Sequence, residues 1–179
     1  MPHAFTVPLA KPRSLDELLL FRIGRLLAIA GAPVIRLCEG QYGITRREWR
    51  LIAVLAQQGP MLSSVLAERA HLDRGRTSKT VSDLVRKNLL VRTPLPQDRR
   101  YAQLTLTDAA REIYAALFPV IVQLNQSLLD GLAPADVQHF DAVLAQLQQR
   151  AAQQPLAQDL PKADRRKGAR ATAVRVAPG

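Results

Sequence analysis

The sequence has very little of the chemistry on which secreted and membrane proteins depend. Its 179 residues include one cysteine, Cys38, so no internal disulfide can form and nothing argues for an oxidising compartment. No stretch approaches the roughly 18 apolar residues that a membrane-spanning helix needs. The N-terminal segment contains three prolines and lacks the apolar core of a signal peptide. We therefore expect a soluble cytoplasmic protein without a membrane-spanning segment.

Motifs of catalysis and metal binding are also missing. The sequence has no glycine-rich phosphate loop and no nucleophile motif of the kinds that mark common enzyme families. Its three histidines, His3, His71 and His139, are scattered and have no metal-ligand spacing. These absences argue against an enzyme, and we predict no catalytic residue, no cofactor and no metal.

Acidic residues are scarce relative to basic ones. Fifteen Asp and Glu stand against 25 Lys and Arg, which gives a formal net charge of +10 and a pI near 10.8. Such a balance favours a polyanionic partner, either nucleic acid or a membrane surface. Charge alone does not choose between the two, so the choice depends on how the basic residues are arranged.

The first third of the chain predicts two helices. Residues 1–13 should be irregular because their prolines lack amide donors. A first helix begins near Ser14, is apolar on more than one side, and is interrupted at Gly31-Ala32-Pro33 before it can resume. Residues 39–43 are expected to form a loop. Thr45, with Glu48 three residues later, is the capping-box pattern of a second helix.

The middle of the chain predicts two short helices and then a hairpin. Ser63 or Ser64 opens a short helix, and Asp73 caps the next one after a tight link. Asn88 stands at the left-handed position that ends this second helix. Two segments then alternate like strands, Leu89–Thr93 and Tyr101–Leu106. This order is the outline of a winged helix-turn-helix.

The last third predicts long apolar helices and a polar end. Thr107 and Asp108 start a helix that runs to about Asp130, with a bend expected at Pro119. Pro134 begins another, and residues 155–179 are read as a disordered basic tail. The fold class is therefore mainly α (α+β). So much apolar helix outside the central unit is most simply buried in a second copy, so we expect a homodimer.

Positive charge is concentrated in the predicted second helix and hairpin. Residues 73–100 contain eight Lys or Arg and three Asp, a formal +5. A basic helix fits a major groove, and a hairpin tipped by Gln97-Asp98-Arg99-Arg100 can reach the backbone and the adjacent minor groove. This arrangement favours double-stranded DNA over a membrane. A two-fold dimer predicts a palindromic operator with half-sites about one helical turn apart.

Several short motifs, in this order and at these spacings, resemble the MarR family of bacterial transcriptional regulators. They are Ile44-Thr45 through Leu55, Leu66-Ala67, Leu72-Asp73, Val81 through Arg92, and Asp98-Arg99-Arg100 followed after five residues by Leu106-Thr107. The departures are Asn88 and Ala110, where the family often has Gly, and Pro33 within the first helix. Asn tolerates the left-handed cap and Ala fits a helix, so only Pro33 bears on the dimer geometry.

The resemblance covers roughly residues 15–150 and implies an obligate homodimer, most often a repressor. It also implies control by a small molecule, commonly an aromatic carboxylate or phenol, held between the dimer helices and the DNA-binding lobe. We accordingly assign residues 14–154 to one MarR-type domain. Its dimerisation helices would occupy 14–40 and 107–154, and its winged helix-turn-helix lobe 45–106.

Two groups of residues are predicted to act. The DNA-binding group lies in the first turns after Asp73 and at the wing tip: Arg74, Arg76, Thr77, Ser78, Lys79, Ser82, Arg99 and Arg100. Asp98 is expected to orient Arg100. An anionic aromatic effector needs an apolar slot with a cation or donor. The ligand-binding candidates are Arg22, Tyr42 and His71. Trp49 is interpreted as core.

Two alternative functions remain open. Cys38 could make the protein a redox-sensing repressor, although the adjacent Glu39 disfavours a thiolate. A basic protein could also be an architectural DNA-binding protein with little sequence preference. Competition between a promoter fragment and random DNA separates this last class from a specific repressor.

Overall fold

A computed structural model of the protein describes residues 9–96, 98 and 101–153. They form two compact units, one ending at Asp130 and one beginning at Gly131, which are described separately. This described part contains seven α-helices, a short 3₁₀ turn at Leu15–Glu17 before the first of them, and one small sheet. None of these helices combines the length and the apolar character required to span a bilayer.

The N-terminal helix is divided at Gly31, as the sequence predicts, but its two halves have other bounds than expected. Helix α1 spans Leu19–Ala30, and Ser14 makes no side-chain cap. Helix α2 spans Ala32–Tyr42, so the expectation of a loop at residues 39–43 is wrong. Pro33 lies in the first turn of α2, where its missing amide costs no hydrogen bond. The helix therefore continues until Gly43, which adopts φ 61° and ends it.

Helix α3, Arg46–Gln58, begins with the predicted capping box. The Thr45 hydroxyl accepts from the Glu48 amide at 3.2 Å, and the Glu48 carboxylate accepts from the Thr45 amide at 2.7 Å. This reciprocal pair satisfies two amides that the helix cannot use internally. After Gly59, the short strand β1, Met61–Leu62, pairs with a much later strand and was not predicted.

The helix-turn-helix consists of α4, Ser63–Arg69, and α5, Arg74–Arg86. Between them His71 has φ 49°, a left-handed conformation that makes the turn tight. The Asp73 side chain accepts from the Arg76 amide at 3.0 Å, which confirms its predicted role as the cap of α5. Asn88 has φ 55°, the left-handed conformation expected after that helix.

The wing is built on strands β2, Leu90–Pro94, and β3, Ala102–Leu106. They pair antiparallel with Leu90 opposite Leu106, and β1 joins the other edge of β3, so the strand order is β1-β3-β2. Of the predicted tip, Gln97, Arg99 and Arg100 lie outside the described residues.

Helix α6, Asp108–Leu129, follows with Thr107 as its cap and runs continuously through Pro119. Gly131 then adopts φ 84°. The second unit contains α7, Pro134–Ala152, which has its proline in the first turn as predicted.

The core of the first unit lies between α3, α4, α5, the sheet and α6. Leu84, Leu89 and Leu104 are buried there, together with Ile52 and Leu117. Trp49 stacks on Tyr114 with ring centroids 5.7 Å apart, and Tyr114 stacks on Phe118 at 5.2 Å. The Trp49–Tyr114 contact joins α3 to α6, whereas the Tyr114–Phe118 contact lies within α6.

Candidate nucleic-acid interface and adjoining groove

Helix α5 presents a row of exposed polar and basic side chains. Five of the residues predicted to bind DNA are exposed on it: Arg74, Arg76, Ser78, Lys79 and Ser82. Its opposite face is closed by Val81 and Leu84, which are buried. Because the helix is anchored on one side only, the basic side is presented as a continuous rigid surface.

Thr77 is a correction to the sequence prediction. Its side chain is 0% exposed, and its hydroxyl donates to the Asp73 carbonyl at 2.9 Å. Thr80, about one helical turn later, is also buried, and its hydroxyl donates to the Arg76 carbonyl. Its residue type suggested a DNA contact, but the rotation of α5 about its own axis, set by packing against its neighbours, turns the Thr77 side chain inward. Thr77 therefore supports the helix and is not placed to touch DNA.

Arg92 of strand β2 is a residue of this surface that the sequence prediction missed. Its guanidinium donates to the Ser82 hydroxyl at 3.0 Å, and that hydroxyl donates to the Ser78 carbonyl at 3.0 Å. Arg92 thus adds a positive charge beside α5 and ties the wing to the helix. Only the arrangement of β2 alongside α5 brings the two together.

The base of the wing is held by backbone bonds. The Leu95 amide donates to the Tyr101 carbonyl at 2.9 Å, and the Tyr101 amide donates to the Asp98 carbonyl at 3.0 Å. The predicted DNA-binding residues Arg99 and Arg100 lie outside the described residues. The predicted orientation of Arg100 by Asp98 therefore stays a prediction.

A groove of about 380 Å³ adjoins the lobe, between α1, α2, α3 and α6. Its walls are largely apolar and include Leu27, Val34 and Ile121. Two cations, Arg46 and Arg50, lie on the α3 side. The groove therefore combines an apolar slot with positive charge, which suits a small anionic ligand with an apolar body.

Arg46 is the cation best placed to meet such a ligand. It has no hydrogen-bond or ion-pair partner within the described ranges, whereas Arg50 donates to the Ala70 carbonyl at 3.4 Å. Gly31 makes room for it: a Cβ at Gly31 would lie 2.8 Å from Arg46 Nη1. The helix break at Gly31 thus also accommodates the guanidinium.

Comparison with known proteins identifies the lobe. A family model described as "MarR family" matches residues 42–100, which span α3 to the wing. Through this lobe, the chain is similar to the MarR family. This match supports the expectation of a DNA-binding transcriptional regulator.

A relative and two solved structures extend the likeness beyond the lobe. The HTH-type transcriptional regulator SarZ of Staphylococcus epidermidis is 25% identical over 111 residues, which cover 56% of this chain and 75% of SarZ. A MarR/EmrR family regulator from Acinetobacter sp. ADP1 matches with a TM-score of 0.71 at 21% identity, covering 79% of this chain and 99% of that one. Bordetella bronchiseptica BpsR, whose DNA binding is regulated by 6-hydroxynicotinic acid, matches with a TM-score of 0.59 at 22% identity, covering 71% and 98%. The winged helix fold predicted from sequence is thereby confirmed.

The three ligand candidates predicted from sequence do not come together in this MarR-family fold. Arg22 lines a different hollow, formed by α1 and the 3₁₀ turn, which also contains Asp16 and Glu17. Tyr42 is half-buried and packs against the core, and His71 is exposed in the turn before α5. None of the three lines the groove. The three residues therefore do not share this groove, and their role in ligand binding stays a prediction.

A helical spacing could have found the groove residues instead. Arg46 and Arg50 are four residues apart on α3, and Trp49 and Ala53 repeat the same interval three positions later. Trp49 lines the groove as well as the core, so its interpretation as core alone is incomplete. The sequence could not show that this face of α3 remains open to a ligand, because that depends on how α1 and α6 pack around it.

Cys38 is an unfavourable redox centre in this fold. The thiol is fully buried. Burial raises the pKa of Cys38 above its ordinary value of 9.0, Glu39 raises it further, and only Arg46 acts in the opposite direction. Because the thiolate is the reactive species, this environment disfavours oxidation.

Proposed function

We propose that this protein is a MarR-type regulator, a homodimeric, sequence-specific repressor whose release from DNA is controlled by a small aromatic or heteroaromatic carboxylate. The observation that carries the DNA-binding part is the exposed basic row of α5 beside a wing anchored through Arg92 and Ser82. An α-helix fits the major groove, where Arg can read guanine and Lys and Ser fix phosphates. Arg99 and Arg100 are proposed to extend the contact from the wing tip.

A competition assay tests this part of the proposal. Binding of the protein to the DNA upstream of its own gene should exceed binding to random DNA by about 10³-fold or more. The comparison is made at about 150 mM salt, where non-specific phosphate attraction is reduced. Equal affinities would favour an architectural protein. An Arg100→Ala variant should weaken operator binding and remain dimeric, and unchanged affinity would refute a role for the wing tip.

The homodimer is supported by the apolar surface of α1. Leu20, Leu26 and Ile29 are all more than half exposed, with Leu20 at 80%. Contiguous apolar surface of this kind marks an association site, and a second copy is the occupant proposed here. Two-fold symmetry would present two basic helices to half-sites about 10 bp apart.

The groove is the proposed effector site. Its volume and apolar walls suit an aromatic ring with one carboxylate, and Arg46 has no hydrogen-bond or ion-pair partner among the residues that the structure describes. BpsR responds to 6-hydroxynicotinic acid, a pyridine carboxylate, which makes this compound a reasonable first probe. Effector binding would act through different affinities for DNA-competent and DNA-incompetent arrangements of the two lobes.

The single tryptophan provides the measurement. Trp49 is the chain's only Trp and lines the groove, so a bound ring should change its fluorescence. Titration with 6-hydroxynicotinic acid should change the emission and lower operator affinity, whereas nicotinamide, which lacks the carboxylate, should do neither. If neither compound changes the emission, 6-hydroxynicotinic acid is excluded as a ligand of this groove. Binding that leaves operator affinity unchanged would contradict the regulatory role.

A further inference from the structure

A lysine at the end of α5 joins the DNA-binding helix to the joint between α2 and α3. Lys87 Nζ donates to the Gly43 carbonyl at 2.8 Å and to Glu48 Oε2 at 2.9 Å. Glu48 is 4% exposed at its side chain, and the same oxygen accepts from the Thr45 amide. One ammonium therefore pairs with a buried carboxylate and bonds the residue that ends α2.

The α2–α3 joint is part of the frame of the groove. Gly43 terminates α2 in a left-handed conformation, and the Ile44 amide donates back to the Cys38 carbonyl at 3.0 Å. Helix α2 supplies Val34 to the groove, and α3 supplies Arg46. A change in the angle between these two helices would move the acceptors of Lys87.

The end of α5 is also bonded to the start of α6, another wall of the groove. The Thr107 hydroxyl donates to the Asn88 carbonyl at 2.8 Å, and the Thr107 amide donates to the Leu89 carbonyl at 3.2 Å. Residues 87–89 are thus held by the joint on one side and by α6 on the other. This is a contiguous set of bonds from the groove walls to the DNA-binding helix.

We propose that Lys87 is a positioning residue, which fixes the C-terminal end of α5 against the α2–α3 joint and so sets the pose in which the helix meets DNA. The inference rests on the proposed function and deepens it. A buried carboxylate is strongly disfavoured without its cation, so the Lys87–Glu48 pair holds one geometry in preference to others. A lysine paired in this way acts through helix placement and not by touching phosphate.

Arg86 offers a matched control one residue away. It is exposed and pairs with Asp83 on its own helix at 2.6 Å, so it has the same charge but no bond to the joint. The variants are Lys87→Met, Arg86→Met, Lys87→Arg, and the double variant Glu48→Gln with Lys87→Met. The double variant removes both charges and keeps the capping pattern, because Gln also serves at that position. It therefore guards against simple misfolding of Lys87→Met.

Operator affinity and its salt dependence are measured for all four. Lys87→Met and the double variant should bind the operator about tenfold more weakly, within the range for residues that couple sites without touching a ligand. Their salt slope should equal that of the wild type, whereas loss of a phosphate contact would reduce it by about 0.9. Lys87→Arg should retain most of the affinity, and Arg86→Met should stay within about twofold, as expected for one exposed charge.

Hydrogen exchange provides a readout that does not depend on DNA. In Lys87→Met and in the double variant, amides at residues 43–45 and 84–89 should exchange faster than in the wild type and in Arg86→Met. Equal exchange in Lys87→Met and Arg86→Met, or a reduced salt slope in Lys87→Met, overturns the inference. If the wild type binds its operator no more tightly than random DNA, the proposed function is overturned instead. The exchange comparison still decides the role of Lys87.

Discussion

Individual side chains of α5 have two different tasks that their chemical type does not reveal. Thr77 and Ser78 are neighbours with similar hydroxyls, yet Thr77 is buried against the Asp73 carbonyl and Ser78 is exposed. Successive residues of a helix point about 100° apart, so one can support the helix while the other faces solvent. The division between structure and recognition therefore changes from one residue to the next.

The pair Thr77→Val and Ser78→Ala tests this division. Thr77→Val removes a buried donor and should lower the free energy of unfolding by about 1 kcal/mol, the usual net value of such a bond. Ser78→Ala should leave stability unchanged within about 0.5 kcal/mol and weaken operator binding. Urea unfolding and operator titration measure the two effects. The opposite assignment of the effects would contradict the observed orientation.

Arg46 and Arg22 allow a direct comparison of the groove with the sequence-based candidate. Arg46→Met should weaken binding of 6-hydroxynicotinic acid by about tenfold or more, since a hydrogen bond to a charged group contributes about 1.5–3 kcal/mol. Arg22→Met should leave it unchanged, because Arg22 lines the other hollow. Trp49 fluorescence gives both dissociation constants. A larger loss in Arg22→Met would move the effector site away from this groove.

The buried thiol of Cys38 should be slow to react. A raised pKa lowers the thiolate fraction near neutral pH, and burial limits access to the thiol, so alkylation by iodoacetamide should be slower in the native protein than in urea. The folded state holds this proton more tightly than the unfolded chain. Its stabilising contribution is therefore present below pH 9.0 and lost as the pH rises through the raised pKa of Cys38.

Peroxide treatment completes the test of Cys38. Operator binding by the wild type and by Cys38→Ser should be equally insensitive to peroxide. Release of the wild type alone would restore the redox-sensing alternative.

Among the elements, α5 is the one whose two ends differ in function. Its N-terminal turns carry the exposed Arg74 and Arg76, and its C-terminal end is bonded through Lys87 to the α2–α3 joint. The first turn also lies at the positive end of the helix dipole, which favours phosphate. Substitutions at the two ends of this helix should therefore weaken DNA binding in different ways.

Arg76→Ala tests the N-terminal end. If Arg76 holds a phosphate, affinity should fall for all DNA sequences and the salt slope should decrease by about 0.9. If it reads a base, the loss should be about 1–3 kcal/mol and confined to one operator position. Titrations against operator variants at several salt concentrations distinguish these cases. An unchanged affinity would remove Arg76 from the interface.

The whole molecule is expected to function as a pair, because α1 leaves its apolar side chains uncovered in the single chain. Leu20→Glu should disrupt the dimer and abolish operator binding, since a charge buried in an apolar interface has no partner. Gln41→Glu adds the same charge at an exposed polar position of α2 and should stay dimeric. Sedimentation velocity gives the two masses. A Leu20→Glu variant that remains dimeric would place the interface elsewhere.

Features set by neighbouring residues could be predicted from the sequence. The Thr45–Glu48 capping box, the Asp73 cap, the left-handed Asn88 and the order of helices and strands all depend on interactions within a few positions. These interactions are local and have a recognisable spacing in the sequence. The winged helix-turn-helix and its basic helix could therefore be predicted from them.

Features that need two distant segments could not be predicted in this way. Strand β1 exists only because Met61 meets Leu104, Lys87 finds Glu48 across 39 positions, and Arg46 faces a groove closed by α1 and α6. The burial of Thr77 likewise depends on the rotation of α5 against its neighbours. Local patterns determine that a helix forms and which faces are apolar. Packing alone selects the rotation and spacing of each helix, and these place the side chains of the groove and of the DNA-binding surface.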